Sequence, residues 1–501
     1  MGYIDEKVPP KRDERLRVCH AYGGTVCGLV NDSRQGCLVN RDRSFSQTSN
    51  CQMGLALAMI LTVPNTVTIM HAPVGCGGSS HGMDGHFRNG VSIRGEKPKS
   101  LIWFSTNLDE NDVINGGEQK LEEAILLADR RHRPKAIFVV SCCAPGIIGD
   151  DIDSVAKRLQ NQVMAAIIPL HCEGFKTKIS ATAYDVVYHG IARNLLGKAG
   201  QGFTASAAGA LREETQRKQR QERTVNLFNV YSIGYPDEVE LTRLLRALGL
   251  EVRYYPNFAD PERYGVLTEA ALNVSICATH DDYFLKHLEE RYGMPYMINT
   301  MPIGIRNTNE WLLDIAKPLQ REAEVQRLIE AETRELDEAL APLRQTLRGK
   351  RVYLSGGEMR VAATAMLLQE LGCEIIGFRA HHYDEFGDNL YLKATEGQPQ
   401  MEVNVATTQP FELVNLLRRA QPDLYLGHSG SNLWAAKLGI PTLPIFSAPQ
   451  SYLGYRGVFE VAQRAARLME NPAFQRRLKE NTRQPYREAW YDTDPYRYIT
   501  G

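Results

Sequence analysis

Short apolar runs alternate along the chain with longer segments whose apolar residues recur every three or four positions. TVTIMHAPVGC (66–76), SLIWFST (100–106), KAIFVVSCC (135–143) and AAIIPLHCEGF (165–175) are of the first kind. They predict short buried strands. LEEAILLADRRH (121–132) and DIDSVAKRLQNQV (151–163) are of the second kind and predict helices. Alternation of this sort implies a parallel sheet with helices on both faces.

The pattern then recurs. TVNLFNVYSIGYPDEVELTRLLRALGLEVRYYPNF (224–258) reads as strand, Gly/Pro turn, amphipathic helix, Gly stop and strand. LNVSICATHDDYFLKHLEERYGMPYMIN (272–299) repeats it. GKRVYLSGGEMRVAATAMLLQELGCEIIGFRAHH (349–382) and PDLYLGHSGSNLWAAKLGIPTLPIF (422–446) do so again. The charged, apolar-poor stretches 211–223 and 309–347 read as boundaries. The expectation is an α/β protein of three Rossmann-like domains with mainly parallel sheets, at 1–219, 220–345 and 346–501. The aromatic tail QPYREAWYDTDPYRYITG is either a partner arm or a surface wrap.

Composition narrows the function. The chain has 501 residues, 43% apolar and 23% charged, with a formal net charge of −1. Nothing basic points to nucleic acid. No apolar run approaches the roughly 18 residues of a membrane span, and the polar N-terminus lacks a secretory signal. A cytoplasmic protein is expected. LSGGEMR lacks the full G-x-G-x-x-G pattern, which argues against a nicotinamide site. The ten cysteines include no C-x-x-C pair, which argues against ribbons, thioredoxin chemistry and ferredoxin-type clusters.

The cysteines matter by position. Ligands of open α/β sheets bind beyond the carboxyl ends of the strands. Cys76, Cys143 and Cys277 each fall just past a predicted strand, and Cys51 falls at a predicted helix start, where backbone N–H groups favour a thiolate. Cys373 reads as a packed thiol and Cys172 as ambiguous. Thiolates gathered with glycine-rich turns suit a soft metal or an iron–sulfur cluster.

HAPVGCGG, NLDENDVINGGEQKL, CCAPGIIGDDI, HCEGF, LNVSIC…LEERYGMPY and YLSGGEMR, in this order and spacing, resemble the α (D-type) subunit of the nitrogenase component 1 superfamily over nearly the whole chain. The resemblance implies that Cys51, Cys76 and Cys143 hold half of an 8Fe-7S P-cluster shared with a homologous K-type (β) subunit in an α2β2 heterotetramer. It also implies that Cys277 binds a large carbide-type iron–sulfur cofactor, 8Fe-9S-C-like. In VVSCCAPGIIGDDID (139–153) the motif's spacing makes Cys143 the ligand. Strand alternation turns Cys142 the other way, and Asp150–Asp151 would start the next helix.

The departures from the family pattern narrow the activity. Phe446 stands where nitrogenases have the cofactor histidine. Ser180 and Tyr184 stand near the positions of a missing glutamine and histidine, and Asp84 falls near a missing arginine. Dinitrogen reduction is therefore not expected. His81, His381, His382 and His428 are candidate second ligands, with His381 and His382 favoured as cofactor-lining residues. The chain most resembles the D subunit of methylthio-alkane reductase. That implies ATP-coupled C–S cleavage of a small thioether, releasing methanethiol, with electrons from an ATP-dependent 4Fe-4S reductase (NifH-like). The alternative is a scaffold subunit for nitrogenase cofactor assembly (NifE-like). Scaffolds also lack the histidine, but usually carry an Asn-rich segment where this chain has LPIFSAPQS. Tetrapyrrole-reducing relatives lack the Cys277-type ligand and rank third.

Overall fold

The computed structural model describes residues 3–38, 41–47, 51–97, 99–196, 217–298, 301–483 and 485–500. Its first sheet has the order Trp103–Ser105, Thr66–His71, Ala136–Ser141, Ala166–His171, and every pair is parallel. All six residues of Ala136–Ser141 are buried, so the strand is covered on both faces and can be apolar without alternation. The flanking helix Glu118–His132 buries Leu121, Ile125 and Ala128 on one stripe. Its last turn carries Arg130, Arg131 and His132, where positive charge suits the helix C-terminus. The acidic pair divides its work. Asp151 caps the helix Ile152–Leu159 by accepting from the Ser154 amide. Asp150 instead binds the His71 ring at 2.8 Å and the Gly117 amide.

The second sheet, Tyr296–Met297, Leu272–Ser275, Thr224–Asn229, Glu251–Pro256, is also all parallel. The third runs Thr442–Pro444, Leu424–Gly427, Arg351–Gly356, Glu374–Ala380, Glu402–Val405 in parallel. Its last strand is Tyr22–Thr25, antiparallel on Glu402–Val405. The chain start thus seals an edge that would otherwise expose unpaired backbone. Val18–Cys19 also pairs with Tyr383–Asp384.

The stretch 309–347 does not form one helix. Ile305–Ala316 stops before Pro318, Gln320 turns through a left-handed φ of 55°, and Glu322–Leu347 starts anew. Proline supplies no N–H to continue the ladder. The tail wraps its own surface. Ile499–Thr500 pairs with Asp42–Arg43, and the Tyr496 ring lies where a Gly23 Cβ would be, 2.2 Å away.

Charge ties the parts together in the interior. Arg12, fully buried, binds Asp282 at 2.9 Å and Asp384 at 2.8 Å. Arg15 binds Asp185 at 2.8 Å and Asp282 at 2.7 Å. The segment around Arg12 therefore clamps the helices Thr182–Asn194 and Ala278–Tyr292 to the short strand Tyr383–Asp384, which follows Glu374–Ala380 of the third sheet. Among the described residues no helix is long and apolar enough to cross a membrane.

Candidate functional site

Parallel strands send their following loops to one rim, and two thiol-bearing places lie there. Cys76 sits in the 3-10 turn Val74–Gly77 after the strand Thr66–His71. Cys143 is the first residue of the helix Cys143–Ile148, after Ala136–Ser141. Cys51 is the N-cap of the helix Gln52–Ile60. Gly174 of the HCEGF motif brings Cys51 and Cys143 together. A Cβ at Gly174 would lie 2.8 Å from the Cys51 sulfur and 3.7 Å from that of Cys143. Only a residue without a side chain allows this approach.

The thiols differ electrostatically. Burial pushes Cys51 up and outweighs the helix amides that favour its thiolate, with Cys143 and Cys76 adding to the rise. The thiolate expected there from the helix start alone is thus opposed by its surroundings. Cys76 is lowered to about 6 by the neighbouring Cys142 thiol, against burial. Cys142 itself is buried, with its sulfur 3.1 Å from the Met53 sulfur. Cys172 is fully buried. Cys373 is packed, with its sulfur 3.6 Å from the Leu347 carbonyl oxygen. Val74, Ile147 and Phe175 stand 63%, 71% and 57% exposed on the elements that carry the thiols and Gly174. Three converging thiols with an apolar, solvent-facing rim make a soft-metal donor set with an open side. Asp84 accepts from the Leu101 amide at 2.9 Å, a structural bond. The His81 side chain lies outside the described residues.

The second place is a cavity of about 750 Å³ among the three sheets. Cys277, Ser180, Tyr184, His381, His382 and Phe446 all line it. Cys277 is the N-cap of the helix Ala278–Tyr292 and is the one thiol among the lining residues. Burial pushes it up to about 12; Asp281 and Glu358 add to the rise, and Arg360 opposes them. Tyr184 packs on His280, ring centroids 4.5 Å apart. Phe446 meets Tyr231 edge-on at 5.6 Å and lies under the Arg360 guanidinium. His381 faces His428 at 5.1 Å. Burial lowers both rings, His428 to about 4 and His381 well below its ordinary value, so they stand neutral, as metal-binding imidazoles must. His382 turns instead towards Asp384.

Sequence reasoning missed Arg360 and Arg379. Both are buried and both line the cavity. Arg360 donates to the Ser232 and Ile445 carbonyls. Arg379 donates to Asn404 at 3.0 Å and to the Gln409 carbonyl at 3.2 Å. Neither forms an ion pair among the described residues. Arg379 had a signal, a lone charge inside the apolar strand Glu374–Ala380. Arg360, on a helix buried nearly all round, had none.

The fold and these two places define a class: an α/β protein of three parallel-sheet units whose strand-end loops carry a half-exposed thiol trio and a single-thiol interior cavity. Residues 51–470 match the family model of nitrogenase component 1 type oxidoreductases, and the chain belongs to that family. It is 29% identical to the nitrogenase iron-molybdenum cofactor biosynthesis protein NifE of Nostoc sp. over 473 residues, 90% of this chain and 92% of that one. It is 25% identical to the nitrogenase molybdenum-iron protein alpha chain of Methanothermobacter marburgensis, over 88% of this chain and 89% of that one. The solved structure of nitrogenase Cp1 at pH 5 superposes with a TM-score of 0.71 at 20% identity, covering 94% of this chain and 98% of that one.

Proposed function

We propose that this chain is the α-type subunit of a nitrogenase-like component 1 complex. Cys51, Cys76 and Cys143 would hold half of an 8Fe-7S P-cluster, and Cys277 one end of an 8Fe-9S-C-like cofactor. The observation that carries this reading is the convergence of thiols far apart in sequence around Gly174, together with a separate interior cavity entered by one thiol. An open trio is half a site, so a homologous K-type (β) subunit would close it, in an α2β2 assembly. When bound, such clusters supply electron storage and transfer. The chain's own residues orient and insulate them. Gly174 gives sulfur room, and the neighbouring Cys142 thiol favours the thiolate of Cys76. Arg360 favours the thiolate of Cys277. His381 and His428 offer neutral imidazoles across the cavity.

Of the finer roles, the assembly scaffold has the better support. NifE proteins are among the relatives, at 29% and 28% identity, and one thiol with Phe446 in the place of a second ligand suits a cluster that must be released. A second reading is C–S reduction of small methylthio-alkanes to methanethiol, with electrons from an ATP-dependent 4Fe-4S reductase. Leu55, Val230, Met301 and Trp434 line the same cavity beside Phe446 and would suit a small apolar thioether. One experiment separates the two. The complex, purified with its β-type partner, is given the reductase, ATP and dimethyl sulfide, and separately an apo-nitrogenase. Activation of the apo-nitrogenase without methanethiol supports the scaffold, and methanethiol production supports the reductase. A complex that lacks iron would remove both.

A further inference from the structure

The cavity wall carries a second donor set unlike the thiols. Glu358, His382 and Asp384 each offer one ligand atom, and the three atoms lie within 4.8 Å of one another. Glu358 opens the helix that follows the strand Arg351–Gly356, and His382 and Asp384 follow Glu374–Ala380. These strands are parallel neighbours, so the three residues leave one rim together. Glu358 and Asp384 are 1% and 0% exposed. The His382 Nε2 is enclosed and has no hydrogen-bond partner among the described residues. It lies 3.8 Å from Asp384 Oδ2. That is too long for a hydrogen bond, and a buried polar atom left unpaired calls for an explanation.

The carboxylates, in contrast, are oriented from behind. Glu358 Oε1 accepts from the Thr279 hydroxyl at 2.9 Å, and Oε2 accepts from the Asp384 amide at 2.6 Å. Asp384 Oδ1 accepts from the Phe386 amide at 3.1 Å, and Oδ2 accepts from Arg12 Nε and Nη2 at 3.2 and 2.8 Å. Outer partners of this kind fix ligand geometry in metal sites. The local charge is also uneven. The buried network sets the guanidinium groups of Arg12 and Arg15 against the carboxylates of Asp185, Asp282, Asp384 and Glu358. Protons or one divalent cation would balance it.

We infer that Glu358, His382 and Asp384 form a mononuclear site for a divalent cation such as Mn(II) or Fe(II) on the cavity wall, separate from the Cys277 position. One imidazole and two carboxylates suit a hard or borderline ion and disfavour the soft ions that thiolates select. Three protein ligands leave open positions towards the cavity for water or an entering oxygen donor.

The test is Mn(II) titration of the chelator-treated full chain, with free Mn(II) read by EPR; Mn(II) is chosen because thiols compete poorly for it. One saturable ion per chain is expected. Its affinity should fall at least about tenfold in His382→Ala and in Glu358→Gln and stay unchanged in Cys277→Ala. Asp384 is left alone because it also anchors Arg12. Anomalous scattering from wild-type crystals soaked in MnCl2 needs no variant, and should place a peak about 2.2 Å from His382 Nε2. The inference is overturned by the absence of saturable binding, by binding that survives both substitutions, or by a peak elsewhere. It is also overturned if Cys277→Ala abolishes Mn(II) binding. Loss of the Mn(II) site alone would leave the cluster reading untouched.

Discussion

Adjacent thiols at Cys142 and Cys143 have opposite surroundings. Cys142 is buried with its S–H directed at the Met53 sulfur, while Cys143 shares the space in front of Gly174 with Cys51. Cys143→Ala should therefore remove the interface-cluster EPR signal and its share of the iron. Cys142→Ala should retain both and lower stability by about 1 kcal/mol, the scale for losing a small buried group. His171 gives a pH prediction. Burial works against its charge, but Asp153 at 2.6 Å and Glu173 at 3.4 Å outweigh it and raise the ring to about 9 from 6.5. A raised histidine stabilises the fold fully below pH 6.5 and loses that contribution as pH climbs through about 9. Melting temperature should fall across that window. His171→Gln should flatten the fall, and an unchanged slope would disprove the assignment.

Strands and helices with an unbroken local pattern were legible because burial on both faces, or on one stripe, writes itself into the sequence at short range. Ala136–Ser141 and Glu118–His132 are examples. Tyr22–Thr25 was not, since its partner strand Glu402–Val405 lies far along the chain and YGGT carries no strand signal of its own. The break at Lys317–Arg321 was hidden by charged residues that look helical on both sides. Element contacts also shape the cavity. The helix Tyr235–Ala247 begins against the loop after Phe446, and a Cβ at Gly234 would sit 2.1 Å from the Ala448 carbonyl oxygen. Backbone cannot yield as a side-chain tip does. Gly234→Ala should cost about 1–3 kcal/mol and shift the wall that holds Phe446 and Tyr231. Iron bound at Cys277 should drop while the interface-cluster signal persists, as paired iron analysis and EPR would read.

At the scale of the molecule, the thiol positions were legible from one rule, that loops after parallel strands share a rim. The rule named Cys76, Cys143 and Cys277 but not their neighbours, because Arg360, His280 and Glu358 meet through packing between sheets that no local pattern encodes. Nor did it reveal what flanks the trio. Single exposed apolar residues are ordinary on a protein surface. Ile147 and Phe175 are different in kind: one lies in the helix that starts at Cys143, the other beside Gly174, and both are more than half exposed. Clustered next to the three thiols, they would form part of a partner's footprint on the proposed reading. Ile147→Asp places a charge in that footprint without touching a thiol or the interior. Co-expressed with the β-type subunit, this variant should elute as a separate chain with an unchanged melting temperature. Its interface cluster should fail to load for want of the partner's half. An assembly that forms and loads normally in Ile147→Asp would move the partner to another face and leave the open side of Cys51, Cys76 and Cys143 without its explanation.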